Sequence, residues 1–154
     1  MNFQERLKTQ TLLMDGAFGT YCSRKQGRRG VSYELLNLTD PGLVEGIHRE
    51  YLAAGADAVK TNTFGATPDA LGRRLEEVLT AACGNAARAA QGTEALIFAD
   101  LGPVSGDPAQ RFNAYREIID VFLKCGLTHF LFETLESAAG VRQAAGYIKN
   151  RCPD

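Results

Sequence analysis

What most constrains this chain is a repeated pattern rather than a repeated motif: a short apolar run closes on a polar residue, a helix-like stretch follows, and the unit recurs. The runs are TLLMDGA (11–17), ADAVKTNTFGA (56–66), ALIFADLGP (95–103) and THFLFETLE (128–136). They are nearly continuous in apolar character, as strands are when helices cover their sheet. Helical stretches follow each run. In the first, Thr39 or Asp40 is placed to cap, Pro41 to begin the helix and Gly55 to close it. Leu43, Val44, Ile47, Tyr51 and Leu52 form its apolar face. The others are LEEVLTAACGNAARAAQG (75–92), AQRFNAYREIIDVFLKCG (109–126) and SAAGVRQAAGYIKNRC (137–152), the last with Ser137 as candidate cap. Repeated strand–helix units dictate parallel strands joined by right-handed crossovers. Two α/β architectures satisfy that rule: a small doubly wound sheet, and part of a (β/α)8 barrel.

One connection breaks the rhythm. CSRKQGRRGVSYELLNL (22–38) is long and rich in Gly and Arg, and reads as a mobile loop. Its basic cluster, Arg24, Lys25, Arg28 and Arg29, is expected to be solvated, with docking of a partner domain as the alternative. The polar start MNFQERLKTQ has no signal-peptide apolar core, and no stretch approaches the roughly 20 apolar residues of a membrane span. With 154 residues and a net charge of -1, one soluble domain is expected, with no bias toward nucleic acid or membrane. Cys22, Cys83, Cys125 and Cys152 are scattered, with no zinc-finger spacing, so free thiols of a cytoplasmic protein are expected. Cys83 and Cys125 read as small buried hydrophobes in helices, and Cys22 as a lone thiol near the mouth. His48 and His129 read as structural.

The strand endings point to chemistry. The first run ends in Asp15-Gly16, the second in Thr61-Asn62-Thr63, the third in Asp100 and the fourth in Glu133-Thr134. In parallel α/β folds all carboxyl ends lie on one face, and that face carries the site. Asp15, Asp100 and Glu133 therefore share a mouth with Asn62 and neighbouring threonines. Clustered carboxylates suit an ammonium group, a metal ion or an acid–base pair, and are poor company for phosphate. There is no GxGxxG or P-loop to favour a nucleotide. Lys60, unusual within a strand, is either an internal partner for one of these carboxylates or a snorkelling side chain.

LLMDGAFGTY, ELLNLTDPGLVEGIHREYLAAGADAVKTNTFGA, ADLGP and FLFETLESAAGVRQA stand in an order and spacing that resemble the homocysteine S-methyltransferase domain. That family includes the N-terminal module of cobalamin-dependent methionine synthase and betaine–homocysteine methyltransferase. The resemblance runs from about residue 10 to the end of the chain. It implies a (β/α)8 TIM barrel of which residues 1–154 supply about four βα units, an N-terminal half. It implies methyl transfer to a homocysteine thiolate held on zinc, with methylcobalamin among the possible donors. Asp15 and Glu133 would hold the substrate ammonium, amides near Gly16 and Ala17 its carboxylate, and Asn62 and Thr63 the pocket floor. Asp100 matches a position that varies in the family. The family's zinc cysteines would lie beyond Asp154, so no metal is expected on this chain alone. Its partners would be L-homocysteine, a complementary C-terminal half barrel or a second copy, and cobalamin or folate modules. Two other functions stay open: a non-catalytic module that binds a small amino acid, and a metal-independent barrel enzyme using Asp and Glu as acid and base.

Overall fold

The computed structural model describes residues 3–27 and 32–152. Two helices, α1 (Phe3–Thr9) and α2 (Phe18–Gln26), precede a 3-10 turn (Tyr33–Leu35) that runs into α3 (Leu36–Thr39). Then follow α4 (Pro41–Ala53), β1 (Ala58–Lys60), α5 (Pro68–Leu71), a second 3-10 turn (Gly72–Arg74), α6 (Leu75–Ala90) and β2 (Leu96–Leu101). α7 (Pro108–Lys124), β3 (Phe130–Phe132) and α8 (Val141–Lys149) complete the described elements.

The strands are parallel and lie in chain order, β1 beside β2 beside β3. Met14 extends that order on the far side of β1 through a single parallel bridge to Ala58. The run 11–17, predicted as a strand, is thus reduced to one bridge. Its Leu13 amide donates to the Asp57 carboxylate at 2.8 Å instead of to a ladder carbonyl, and Gly16 follows at once. The other strands are also shorter than their apolar runs, because residues after each strand turn aside to build the mouth.

Alternation along β2 sorts its side chains. Ala99 and Leu101 point into the main core with Leu75, Leu79, Tyr115, Ile119 and Phe122. Helices α6, α7 and α8 lie against one another in sequence behind the sheet. Phe98 and Asp100 consequently face the other way. The amino end of that inner face is covered by α1, whose Phe3 ring lies 5.4 Å from Phe98 and 5.2 Å from His129. Within MNFQERLKTQ, read from sequence only as a polar start, Phe3–Thr9 thus form a short covering helix.

The segment read as a mobile loop is also corrected in part. Its first residues belong to α2, which buries Cys22 completely and ends at Gly27 with φ of 65°. Cys22, expected near the mouth, is buried, while its neighbours Ser23 and Arg24 line the cleft. Lys25 is not simply solvated: it pairs with Glu50 of α4 at 2.5 Å, and the Tyr21 hydroxyl bonds the same carboxylate. Arg28 and Arg29 lie outside the described residues.

Helix ends follow local chemistry. Asp40, not Thr39, caps α4, accepting from the Leu43 amide at 3.1 Å. Thr39 donates its hydroxyl back to Leu35. Asp107 and Gln110 form a reciprocal capping box on α7. Ser137 does not cap α8; Gly140 begins it with φ of 81°. A Cβ at Gly140 would lie 2.8 Å from Arg111 Cβ, so this close approach of α8 to α7 requires glycine. Cys83 is buried on α6, and Cys125 follows the last turn of α7 half-buried. His48 is fully buried beside the Phe18 ring. Among the described residues no helix is long and apolar enough to cross a membrane.

Candidate functional site

The carboxyl ends of the strands open into a cleft of about 1120 Å³. Asp15, Gly16, Ala17, Asn62, Thr63, Asp100 and Glu133, all seven residues singled out in the sequence, line it. Sequence reasoning missed the contribution of α2 and the following turn, which bring Phe18, Arg24, Tyr33 and Glu34 to the rim. The cue for a helix there was weak, since glycines and charges fill the segment.

A hydrogen-bond lattice fixes the floor. Thr61 and Thr63 hydroxyls bond each other at 2.7 Å. Thr61 Oγ1 accepts from the Asp100 amide at 3.0 Å, and Thr63 Oγ1 donates to the Asp100 carbonyl at 2.8 Å. The turn after β1 is thereby stitched to the end of β2. Asn62 donates to the Tyr33 carbonyl at 2.6 Å, while Asn37 donates to the Asn62 carbonyl at 2.8 Å. Asn62 thus tethers the rim instead of presenting a free amide. Gly102 permits the close fit: a Cβ there would lie 2.3 Å from the Phe64 carbonyl oxygen.

The charged groups are less evenly satisfied. Asp15 accepts from the Lys60 amide through Oδ2 at 3.0 Å, but its Oδ1 is buried with no hydrogen-bond partner among the described residues. Asp100 is 4% exposed, and its Oδ1 is likewise buried and unpartnered. Burial pushes the Asp15 carboxyl up to about 6 against the pull of the Lys60 amide and ammonium. Burial, with Glu133 next in weight, pushes Asp100 up to about 8. Lys60 is an internal partner, its Nζ 3.3 and 3.2 Å from the two Glu133 oxygens, so Glu133, expected with Asp15 to hold a substrate ammonium, is paired within the protein itself. Burial alone would pull its ammonium down, but Glu133, Asp100 and Asp15 outweigh that and raise it. Thr134, next to Glu133, has φ of 56°, a strained conformation for a β-branched residue.

The site therefore holds two buried carboxylate oxygens in the cleft lining with no donor among the described residues, the Asp100 carboxyl lying beside that of Glu133. Such atoms suit an incoming cation that donates hydrogen bonds. A zinc ion is not what these residues fit. Among the described residues no group of three or more His, Cys, Asp or Glu side chains is placed to hold a metal ion. Among the described residues no cysteine lines the mouth, and Glu133 is already paired with the Lys60 ammonium.

Comparison with known proteins bears on the family and the fold. The sequence model of the homocysteine S-methyltransferase family matches residues 12–153. Methionine synthase of Mycobacterium tuberculosis is 30% identical over 138 residues, covering 79% of this chain and 12% of that protein. The mouse S-methylmethionine–homocysteine S-methyltransferase BHMT2 is 33% identical over 101 residues, covering 62% of this chain and 28% of its own length. The chain thus spans a minor part of these curated relatives. In structure it is similar to the homocysteine methyltransferase MmuM from Escherichia coli in its metallated form, with a TM-score of 0.80 at 18% identity. That match covers 97% of this chain and 62% of the other. The oxidized form of the same protein gives a TM-score of 0.81 at 20% identity. At such identities the likeness speaks for the fold alone, an α/β arrangement around a parallel sheet.

Proposed function

The chain belongs to the homocysteine S-methyltransferase family, and on that premise we propose that its cleft anchors the amino-acid end of L-homocysteine for S-methylation. The observation that carries this reading is the pair of buried, unpartnered oxygens, Asp15 Oδ1 and Asp100 Oδ1, in the mouth of a family member. An α-ammonium gives each a charge-assisted hydrogen bond and neutralises carboxylates that burial has made costly. The exposed backbone at Gly16 and Ala17 supplies a place for the α-carboxylate. In this reading the Met14 bridge and β1–β3 are four consecutive staves of a (β/α)8 barrel. A complementary segment supplies the other staves and the metal ligands, and residues 1–154 form the substrate-anchoring half.

The chemistry of this half is positional. It holds the carbon skeleton so that the sulfur lies where a methyl donor is presented, which converts an encounter into an oriented reaction. No step through zinc is assigned to it, because its described residues do not supply the ligands. Binding of L-homocysteine to the chain, measured by calorimetry, tests the reading. A single site that weakens at least about tenfold in Asp15→Asn is expected from the loss of a charged hydrogen bond. Absence of binding, or affinity unchanged by the substitution, contradicts it.

A further inference from the structure

The mouth contains a feature that the anchoring role does not require. Lys60 sits at the end of β1 with its side chain only 17% exposed, and its ammonium engages both oxygens of Glu133. Both Glu133 oxygens thus accept from Lys60, whereas Oδ1 of Asp15 and Oδ1 of Asp100 have no donor among the described residues. An ammonium donates three hydrogen bonds. Two of Lys60's are on Glu133, and among the described residues the third has no protein partner. The same ammonium feels Asp15 and Asp100 as well as Glu133, so it stands within the acidic cluster and not at its margin.

We propose that Lys60 is a specificity-determining residue that reads the α-carboxylate of the amino acid together with the backbone at Gly16 and Ala17, leaving the α-ammonium to Asp15 and Asp100. The inference rests on the amino-acid-binding reading above. In an α-amino acid the ammonium and carboxylate are borne on one carbon. A cation that recognises the carboxylate must therefore stand beside the anions that recognise the ammonium. Lys60 meets that condition, since its own backbone amide holds Asp15 at 3.0 Å. Arg24, the other cation lining the cleft among the described residues, is exposed at the rim. Lys60 also sets the charge the mouth accepts. Its positive charge offsets that of Glu133. A simple amine, with nothing to offer Lys60, leaves that donor buried and unanswered, which is the situation in which binding sites discriminate strongly.

The test compares L-homocysteine with the aminothiol left when its carboxylate is removed, titrated into the native 154-residue chain and into Lys60→Met and Lys60→Arg. The native chain is expected to prefer the amino acid by about tenfold or more, the worth of one charged hydrogen bond. In Lys60→Met that preference collapses, because the amino acid weakens while the amine holds or gains. Lys60→Arg keeps part of it. The ratio is the informative quantity, since general damage to the fold lowers both ligands together. If L-homocysteine binds the native chain but the ratio is the same in Lys60→Met, or falls instead in Arg24→Met, the role of Lys60 is overturned while the anchoring reading stands. If neither ligand binds the native chain, both are overturned.

Discussion

The two faces of β2 follow opposite rules. Behind the strand, Ala99 and Leu101 join Tyr115, Ile119 and Phe122 in a hydrophobic core whose Tyr115 hydroxyl is satisfied by the Gly102 carbonyl. In front, one residue away, Asp100 is just as buried but carries an oxygen with no partner. A chain that needed only to fold would not place a carboxylate there, since an unsatisfied buried acid costs stability. The difference separates what holds the molecule together from what it is arranged to do.

Substitutions behind the sheet should cost stability and leave ligand affinity alone; those in front should do the reverse. The largest effect is expected at Phe122, fully buried on α7. Phe122→Ala should lower unfolding free energy by about 3–5 kcal/mol in a urea titration. Homocysteine affinity of the remaining folded protein should be unchanged. A loss of affinity in step with stability would break the distinction.

The next effect concerns pH. His48 is enclosed by the helices with both ring nitrogens unpartnered, and burial, opposed by Glu45, pulls it down from 6.5 to about 4. Between those values the unfolded chain binds the proton and the folded one does not. Stability from this residue is therefore complete above pH 6.5 and is lost as pH falls toward 4, by up to about 3 kcal/mol. His48→Leu should flatten that limb of the melting curve. The mouth has the opposite sign. Asp100 is raised from 3.8 to about 8, so its contribution is complete below pH 3.8 and is lost as pH rises through 8. Asp100→Asn should raise the melting temperature at pH 9 while weakening homocysteine by about tenfold, a smaller free-energy effect than the other two. If the variant lost both stability and affinity, Asp100 would belong with the core.

Much of this contrast was legible in the sequence, and the reasons are local. Continuous apolar runs ending at Asn62, Asp100 and Glu133 mark parallel strands that bring their ends together, and the run ending at Asp15 joins them through the Met14 bridge alone. Asp40 before Pro41 marks a helix start. What was not legible depended on tertiary partners. The helix α2 forms in a Gly- and Arg-rich segment because Cys22 is buried and Lys25 and Tyr21 find Glu50, contacts no local pattern announces. The cap at Gly140 depends on how closely α7 approaches. The commitment of Lys60 to Glu133, 73 positions away, changes which carboxylates remain open, and spacing alone gave no choice between that and a snorkelling side chain.

The central claim is that an ammonium comes to rest on two buried carboxylates. At pH 7 Asp100, raised to about 8, is mostly protonated in the empty cleft, whereas the bound ammonium requires it ionised. Calorimetry of L-homocysteine in buffers of different ionisation enthalpy counts the protons exchanged on binding. Release of roughly one proton at pH 7, disappearing in Asp100→Asn, is the expected result. Binding with no proton released, or release that survives the substitution, would mean that the ammonium rests elsewhere.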